Sequence, residues 1–198
     1  MKKHVFIIAE AGVNHNGSPA LAKKLALAAK KAGADAVKFQ TFNAELLASP
    51  TARKAGYQVR TTGAADSQLA MLKKLELNPE AHFQLKAYCR KIGIEFLSSP
   101  FDLGSADFLL KMGLRTMKIP SGEITNLPLL RKIGASGRKI IISTGMATLA
   151  EAGAALKALY TAGAKKADIT LLHCNTDYPT CLPDVNLKAM AAMGEKFG

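Results

Sequence analysis

The chain has 198 residues, 48% of them hydrophobic, and 27 Lys and Arg against 15 Asp and Glu, a formal net charge of +12. That length and apolar content suit one globular domain or part of a larger one, and no apolar run approaches the roughly 18 residues of a membrane-spanning helix. The positive charge raises nucleic acid as a partner, but the lysines fall mainly on predicted helices, as at Lys23-Lys24 and Lys30-Lys31, with no interleaved aromatics and no nucleic-acid module. They read as solvated faces whose residual field draws in a small anion.

Met1-Lys2-Lys3 followed by Val5-Phe6-Ile7-Ile8-Ala9 imitates a secretion signal, but the apolar stretch is short and Glu10 interrupts it, so it reads as a strand. Residues 10–19 form a polar loop in which Ser18 and Pro19 supply an N-cap and a first-turn residue. A helix follows over residues 20–32, with Gly33 as its stop. Residues 36–41 read as a second, half-buried strand. From Phe42 to about Leu77 the pattern is lost apart from a short helix over residues 67–75; a connection of that length is expected to be a lid or binding loop. Asn78-Pro79 starts a helix running to about Lys91, and Gly93 ends it. Residues 94–99 are the third strand, stopped by Pro100, and a helix covers about residues 105–112.

Leu114-Arg115-Thr116-Met117 then leads into Lys118-Ile119-Pro120-Ser121-Gly122-Glu123, the end of a fourth strand. A cation, a hydroxyl and a carboxylate within six residues, on a backbone bent by Pro and Gly, are ill suited to a core and well suited to a phosphate-bearing ligand. Helices over residues 127–133 and 148–162 flank a buried fifth strand at 139–145. Residues 168–174 form a sixth strand, and a last helix begins near Asp184. Six alternations of strand and helix imply an α/β fold with a parallel sheet and right-handed crossovers.

Each strand is apolar in its body and turns polar at its C-terminal end: Glu10; Lys38 and Gln40; Ser98 and Ser99; Lys118, Ser121 and Glu123; Ser143 and Thr144; His173 and Asn175. In parallel α/β architectures that edge carries binding and catalysis. The chain contains neither G-x-x-x-x-G-K-[ST] nor G-x-G-x-x-G after the first strand, so neither a P-loop nor a Rossmann site is supported. The fold expected is a TIM (β/α)8-type barrel. A full barrel takes about 250 residues, so about six βα units are expected here, with strands seven and eight missing.

Cys89, Cys174 and Cys181 are odd in number and form no C-x-x-C pair, which argues against a disulfide framework or zinc ribbon and fits a reducing cytoplasm. They read as packing or loop residues. His4, His15, His82 and His173 lack metal spacing. Asn14-His15-Asn16-Gly17 reads as a tight turn in which His15 has no evident chemical task, and His173 as a satisfied strand-end histidine.

Ile7-Ile8-Ala9-Glu10-Ala11-Gly12-Val13-Asn14-His15-Asn16-Gly17, Val37-Lys38-Phe39-Gln40-Thr41, Ser98-Ser99-Pro100-Phe101, Lys118-Ile119-Pro120-Ser121-Gly122-Glu123, Ser143-Thr144-Gly145-Met146 and His173-Cys174-Asn175-Thr176-Asp177-Tyr178-Pro179-Thr180 resemble, in order, the signatures of the N-acetylneuraminate (sialic acid) synthase family. The resemblance implies that residues 1–198 are a partial phosphoenolpyruvate-dependent synthase barrel. Such an enzyme condenses phosphoenolpyruvate with an N-acetylated aldose, N-acetylmannosamine or a related diacetamido hexose, to a nine-carbon 2-keto sugar acid and releases phosphate. It also implies a divalent metal, Mn2+ or Mg2+, a C-terminal antifreeze-like domain absent here, a homodimer, and a cytoplasmic enzyme engaging neither membrane nor nucleic acid. The family's metal-binding histidines lie on the missing strands, so no metal ligand is assigned within this chain.

Carried over residue by residue, the resemblance assigns Lys38 and Lys118 to the phosphate and carboxylate of phosphoenolpyruvate, with Ser99, Ser121 and Ser143 as hydroxyl donors and Asn175 and Thr176 as polar contacts to the same ligand. Glu10, Gln40, Glu123 and Tyr178 fall on the sugar side, Glu123 also orienting or deprotonating the attacking water; Glu10, Glu123 and Lys118 are the candidate catalytic residues. One departure concerns the sugar: where many relatives place an Asn before a Thr in the long loop, Arg60-Thr61-Thr62-Gly63 carries Thr61. The alternatives are an octulosonate or heptulosonate phosphate synthase, whose second substrate phosphate calls for an added basic site, and a non-catalytic ligand-binding fragment.

Overall fold

The computed structural model describes residues 4–54, 66–177 and 179–198. It divides into two compact units, Met1–Ser105 and Ala106–Gly198. The first holds β1 (Ile8–Gly12), α1 (Pro19–Lys31), β2 (Ala36–Thr41), α2 (Ala44–Leu47), α3 (Gln68–Leu75), α4 (Pro79–Ile92) and β3 (Glu95–Pro100). Helix α5 (Leu103–Lys111) begins there and continues into the second unit. The second unit then carries β4 (Thr116–Ile119), α6 (Leu127–Gly134), β5 (Lys139–Ser143), α7 (Leu149–Thr161), β6 (Ile169–Leu172) and α8 (Leu187–Phe197).

The described strands form two three-stranded parallel sheets, ordered β1-β2-β3 and β4-β5-β6. The chain is therefore an α/β protein built from consecutive βα units. In the first unit the helix-facing side of the sheet is apolar in its body: Val37, Phe39 and Phe96 are buried with Ala22 and Ala26 of α1 and Leu85 and Cys89 of α4. The rings of Phe39 and Phe96 stack with centroids 5.8 Å apart. In the second unit Ile140 and Ile142 of β5 are buried, as are Leu129, Leu130 and Ile133 of α6 and Leu156 and Leu159 of α7.

Side-chain caps fix where helices begin. Ser18, Asn43, Ser67, Asn78, Asn126 and Thr148 each accept a backbone N–H of the first turn. Thr148 and Glu151 form a reciprocal capping box, satisfying two of the donors a helix start leaves unpaired.

Three expectations shift. The first strand starts at Ile8 rather than Val5, because its partner β2 begins at Ala36 and the pairing starts at Ile8↔Ala36; Val5 is 75% exposed. Residues 44–47, expected to be irregular, form α2, held by the Asn43 cap and by Glu76, whose carboxylate accepts the Ala44 N–H. The last helix begins at Leu187, after a 3-10 turn at Leu182–Asp184 that occupies its expected start. Arg60-Thr61-Thr62-Gly63 and the rest of residues 55–65 of the expected lid lie outside the described residues. Among the described residues no helix is long and apolar enough to cross a membrane.

Candidate active site

In the first unit, the alternation of a strand turns Lys38 and Gln40 to the face opposite Phe39. The parallel register sets Glu10 beside Lys38 and Gln40 beside Ser99. Lys38 Nζ and a Glu10 carboxylate oxygen form an ion pair in which the lysine is the more buried partner. A Cβ placed on Gly12 would lie 3.3 Å from Glu10 Oε1 and 3.8 Å from Gln40 Nε2, so these two side chains crowd the same strand end. The Ser99 hydroxyl is buried there and, among the described residues, has no hydrogen-bond partner. A buried hydroxyl without a partner costs about 1–3 kcal/mol, which a ligand acceptor would recover.

In the second unit Lys118 is 5% exposed. Its ammonium donates to Ser143 Oγ at 2.6 Å and to the Ile119 carbonyl at 3.0 Å. The Cys174 thiol donates to the same Ser143 oxygen at 3.3 Å. Two residues beyond Ser143, past the end of β5, the Gly145 N–H donates to Ser121 Oγ at 2.9 Å. Gly145 is required here: a Cβ would meet Thr176 Cγ2 at 2.8 Å and Ser121 Oγ at 2.9 Å. Lys118, Ser143 and Cys174 thus converge, as do Ser121, Gly145 and Thr176.

Two predicted residues are engaged in their own loops. Glu123 Oε2 accepts from Asn126 Nδ2 at 2.7 Å, and Asn175 Nδ2 donates to the Asp184 carbonyl at 2.8 Å. Tyr178 lies outside the described residues. Cys174, read from the sequence as packing, is the neighbour that reading missed. Its signal was available: with Ser143 opposite Leu172 in the register, alternation carries Cys174 to the face of Ser143 and Lys118.

The histidines are structural in their contacts. His15 is fully buried against Phe39, with ring centroids 6.1 Å apart. Its Nδ1 accepts the Gly17 N–H at 3.0 Å, so the hydrogen of the neutral ring sits on Nε2, which is buried and without a partner among the described residues. Asn16 and Gly17 both have positive φ, 48° and 73°, and a Cβ on Gly17 would meet the Lys74 carbonyl oxygen at 2.5 Å. Asn14-His15-Asn16-Gly17 is therefore a tight turn pinned by His15. Burial, and then the nearby His82, hold the His15 pKa below 6.5; burial does the same to His82, against a bond to Asn78. His173 Nε2 donates to the Val185 carbonyl at 2.9 Å. Among the described residues no three His, Cys, Asp or Glu side chains are grouped to hold a metal ion, so these residues do not fit one.

The sequence matches the NeuB family over residues 25–198. It is 54% identical over 195 residues to an N,N'-diacetyllegionaminic acid synthase of Campylobacter jejuni, covering 98% of this chain and 58% of that protein. To an N,N'-diacetyllegionaminic acid synthase of Legionella pneumophila it is 48% identical over 194 residues, covering 97% of this chain and 54% of the relative. The chain thus spans a little over half the length of these curated relatives. The fold superposes with a TM-score of 0.83 on the crystal structure of an N-acetylneuraminic acid synthetase from Leptospira borgpetersenii in complex with citrate, at 31% identity, covering 98% of this chain and 62% of that one. The strand-end signatures and the fold agree with this match over most of the chain, which belongs to the NeuB family.

Proposed function

We propose that the protein containing this chain condenses phosphoenolpyruvate with an N-acylated aldose to a nine-carbon 2-keto sugar acid, releasing phosphate. A diacetamido hexose of the legionaminic type is the preferred aldose, because two relatives near half identity carry that name. The observation that carries the proposal is Lys118, a nearly buried ammonium at a strand end, set against the hydroxyl of Ser143. Water screens a buried cation little, so it attracts an anion strongly, and a phosphoenolpyruvate phosphate or carboxylate is such an anion.

In this reading the first unit offers the Lys38 cation and the Ser99 hydroxyl, and the second the Lys118 cation and the Ser121 and Ser143 hydroxyls, each suited to the oxygens of a phosphate or carboxylate, an electrostatic and positional contribution. Asn175 and Thr176 are assigned to phosphoenolpyruvate, and Glu10, Gln40 and Tyr178 to the sugar. The π pair of phosphoenolpyruvate moves from C3 to the aldehyde carbon, forming the C–C bond while the aldehyde oxygen gains a proton. Water adds at C2 and loses a proton to Glu123, one of whose oxygens Asn126 already holds in place. The bond from C2 to the phosphate oxygen then breaks as the new C2 hydroxyl passes its proton to the departing phosphate, leaving a ketone and inorganic phosphate. We place the Mn2+ or Mg2+ requirement on residues outside this chain, in a cytoplasmic homodimer.

The test is phosphate release from phosphoenolpyruvate by the whole protein, with N-acetylmannosamine or a 2,4-diacetamido hexose as acceptor, with and without chelator. Release that requires an acylated aldose and a divalent ion, with product of the summed mass, supports the proposal. Release driven only by a phosphorylated aldose, or by no acceptor at all, refutes it.

A further inference from the structure

Behind Gln40 and Ser99 runs a chain of buried hydrogen bonds that none of the steps above uses. Alternation turns Thr41 and Ser98 to the opposite face of the sheet. There Thr41 Oγ1 lies 2.9 Å from His82 Nε2 and 2.6 Å from Ser98 Oγ. His82 Nδ1 lies 3.0 Å from the Asn78 carbonyl oxygen, at the start of α4. All three side chains are buried.

The direction of each bond follows from the groups. A carbonyl only accepts, so Nδ1 carries the hydrogen, and Nε2 of the neutral ring is an acceptor. The Thr41 hydroxyl therefore donates to His82, and its oxygen accepts from the Ser98 hydroxyl. Burial, by lowering the His82 pKa, favours the neutral ring this arrangement needs.

The geometry points to His82 as a positioning residue: through Thr41 and Ser98 it sets the ends of β2 and β3 so that Gln40 and Ser99 are presented to the ligand. This rests on the reading above that those two side chains face substrate. Each lies next in the chain to a member of the network, and they are register partners of one another. The backbone rung that closes this end of the pair is the Phe101 N–H donating to the Thr41 carbonyl at 3.2 Å. The side-chain bond between Thr41 and Ser98 ties the two strands just before that rung.

The experiment compares His82→Leu, Thr41→Val and His82→Gln in the whole protein. Hydrogen exchange without ligand is read at residues 39–41 and at Ser98, Ser99 and Phe101, with Ala36 and Val37 as an internal control, and the KM for phosphoenolpyruvate and kcat are then measured. His82→Leu and Thr41→Val are expected to lower protection about tenfold at the strand ends while sparing Ala36 and Val37. They are also expected to raise KM about tenfold with kcat little changed. His82→Gln, whose amide oxygen can accept from Thr41, is expected to restore both. Unchanged protection at the strand ends, a loss spread evenly over the sheet, or a local loss with unaltered KM would each overturn the proposal. Local loss in a protein whose wild type binds no phosphoenolpyruvate supports the positioning and overturns the substrate reading instead.

Discussion

Replacing Lys118 by Met removes a buried charge while keeping most of the side chain's volume, and it separates stability from binding. On the stability side, Ser143 Oγ and the Ile119 carbonyl each lose a charged donor, worth about 1.5–3 kcal/mol apiece. Against that, an ammonium no longer has to be held away from water, a penalty of several kcal/mol in real proteins. The two nearly cancel, so the folded state is expected to melt close to the wild type or above it. Binding has no such offset: a unit charge about 4 Å from an anion at an effective dielectric near 20 contributes ~4 kcal/mol, a ceiling of roughly 10³-fold. Allowing for the water that the ligand gives up, phosphoenolpyruvate affinity should fall about 10²-fold. Titration calorimetry on the whole protein, paired with a thermal melt, reads both quantities. A folded variant with wild-type affinity would refute the role given to Lys118.

Further outcomes follow from other features. Gly145→Ala forces contacts of 2.8 and 2.9 Å with Thr176 and Ser121; it should cost about 1–3 kcal/mol of stability and, by displacing the Ser121 hydroxyl, weaken phosphoenolpyruvate binding in a calorimetric titration at a temperature where the variant is folded. His15 and His82 have native pKa values below 6.5, so below that pH the unfolded chain takes up protons first. Their contribution is complete above about pH 6.5 and is lost as pH falls toward the native values. Urea midpoints should therefore drop on acidification through this window, and His82→Gln should blunt the drop. Burial pushes the Cys89 thiol up to about 12, whereas Cys181 is exposed. Timed iodoacetamide labelling should modify Cys181 early and Cys89 only on unfolding; early labelling of Cys89 would contradict its burial.

What was legible in the sequence was local. Ser18-Pro19 announced α1, and the alternation of apolar and polar residues at 36–41 announced β2, because a cap and a strand period are written in adjacent residues. The start of β1 was not, since Val5 to Ile7 have strand character but no opposing rung before Ala36. Helix α2 was missed because four residues carry no periodicity; it is held by Glu76, far along the chain. The polar strand ends were readable as a set, and register plus alternation could have added Cys174. The network of His82, Thr41 and Ser98 could not be read in the same way. Its members are 41 and 57 positions apart, and only the folding of α4 onto the sheet brings them together.

Amide chemical-shift mapping on the whole protein titrated with phosphoenolpyruvate tests the central claim most directly. The account predicts saturable shifts at Lys38, Ser99, Lys118, Ser121, Ser143 and Gly145, suppressed in Lys118→Met. Saturable shifts confined to helix faces away from these strand ends, or none at millimolar phosphoenolpyruvate, would contradict it.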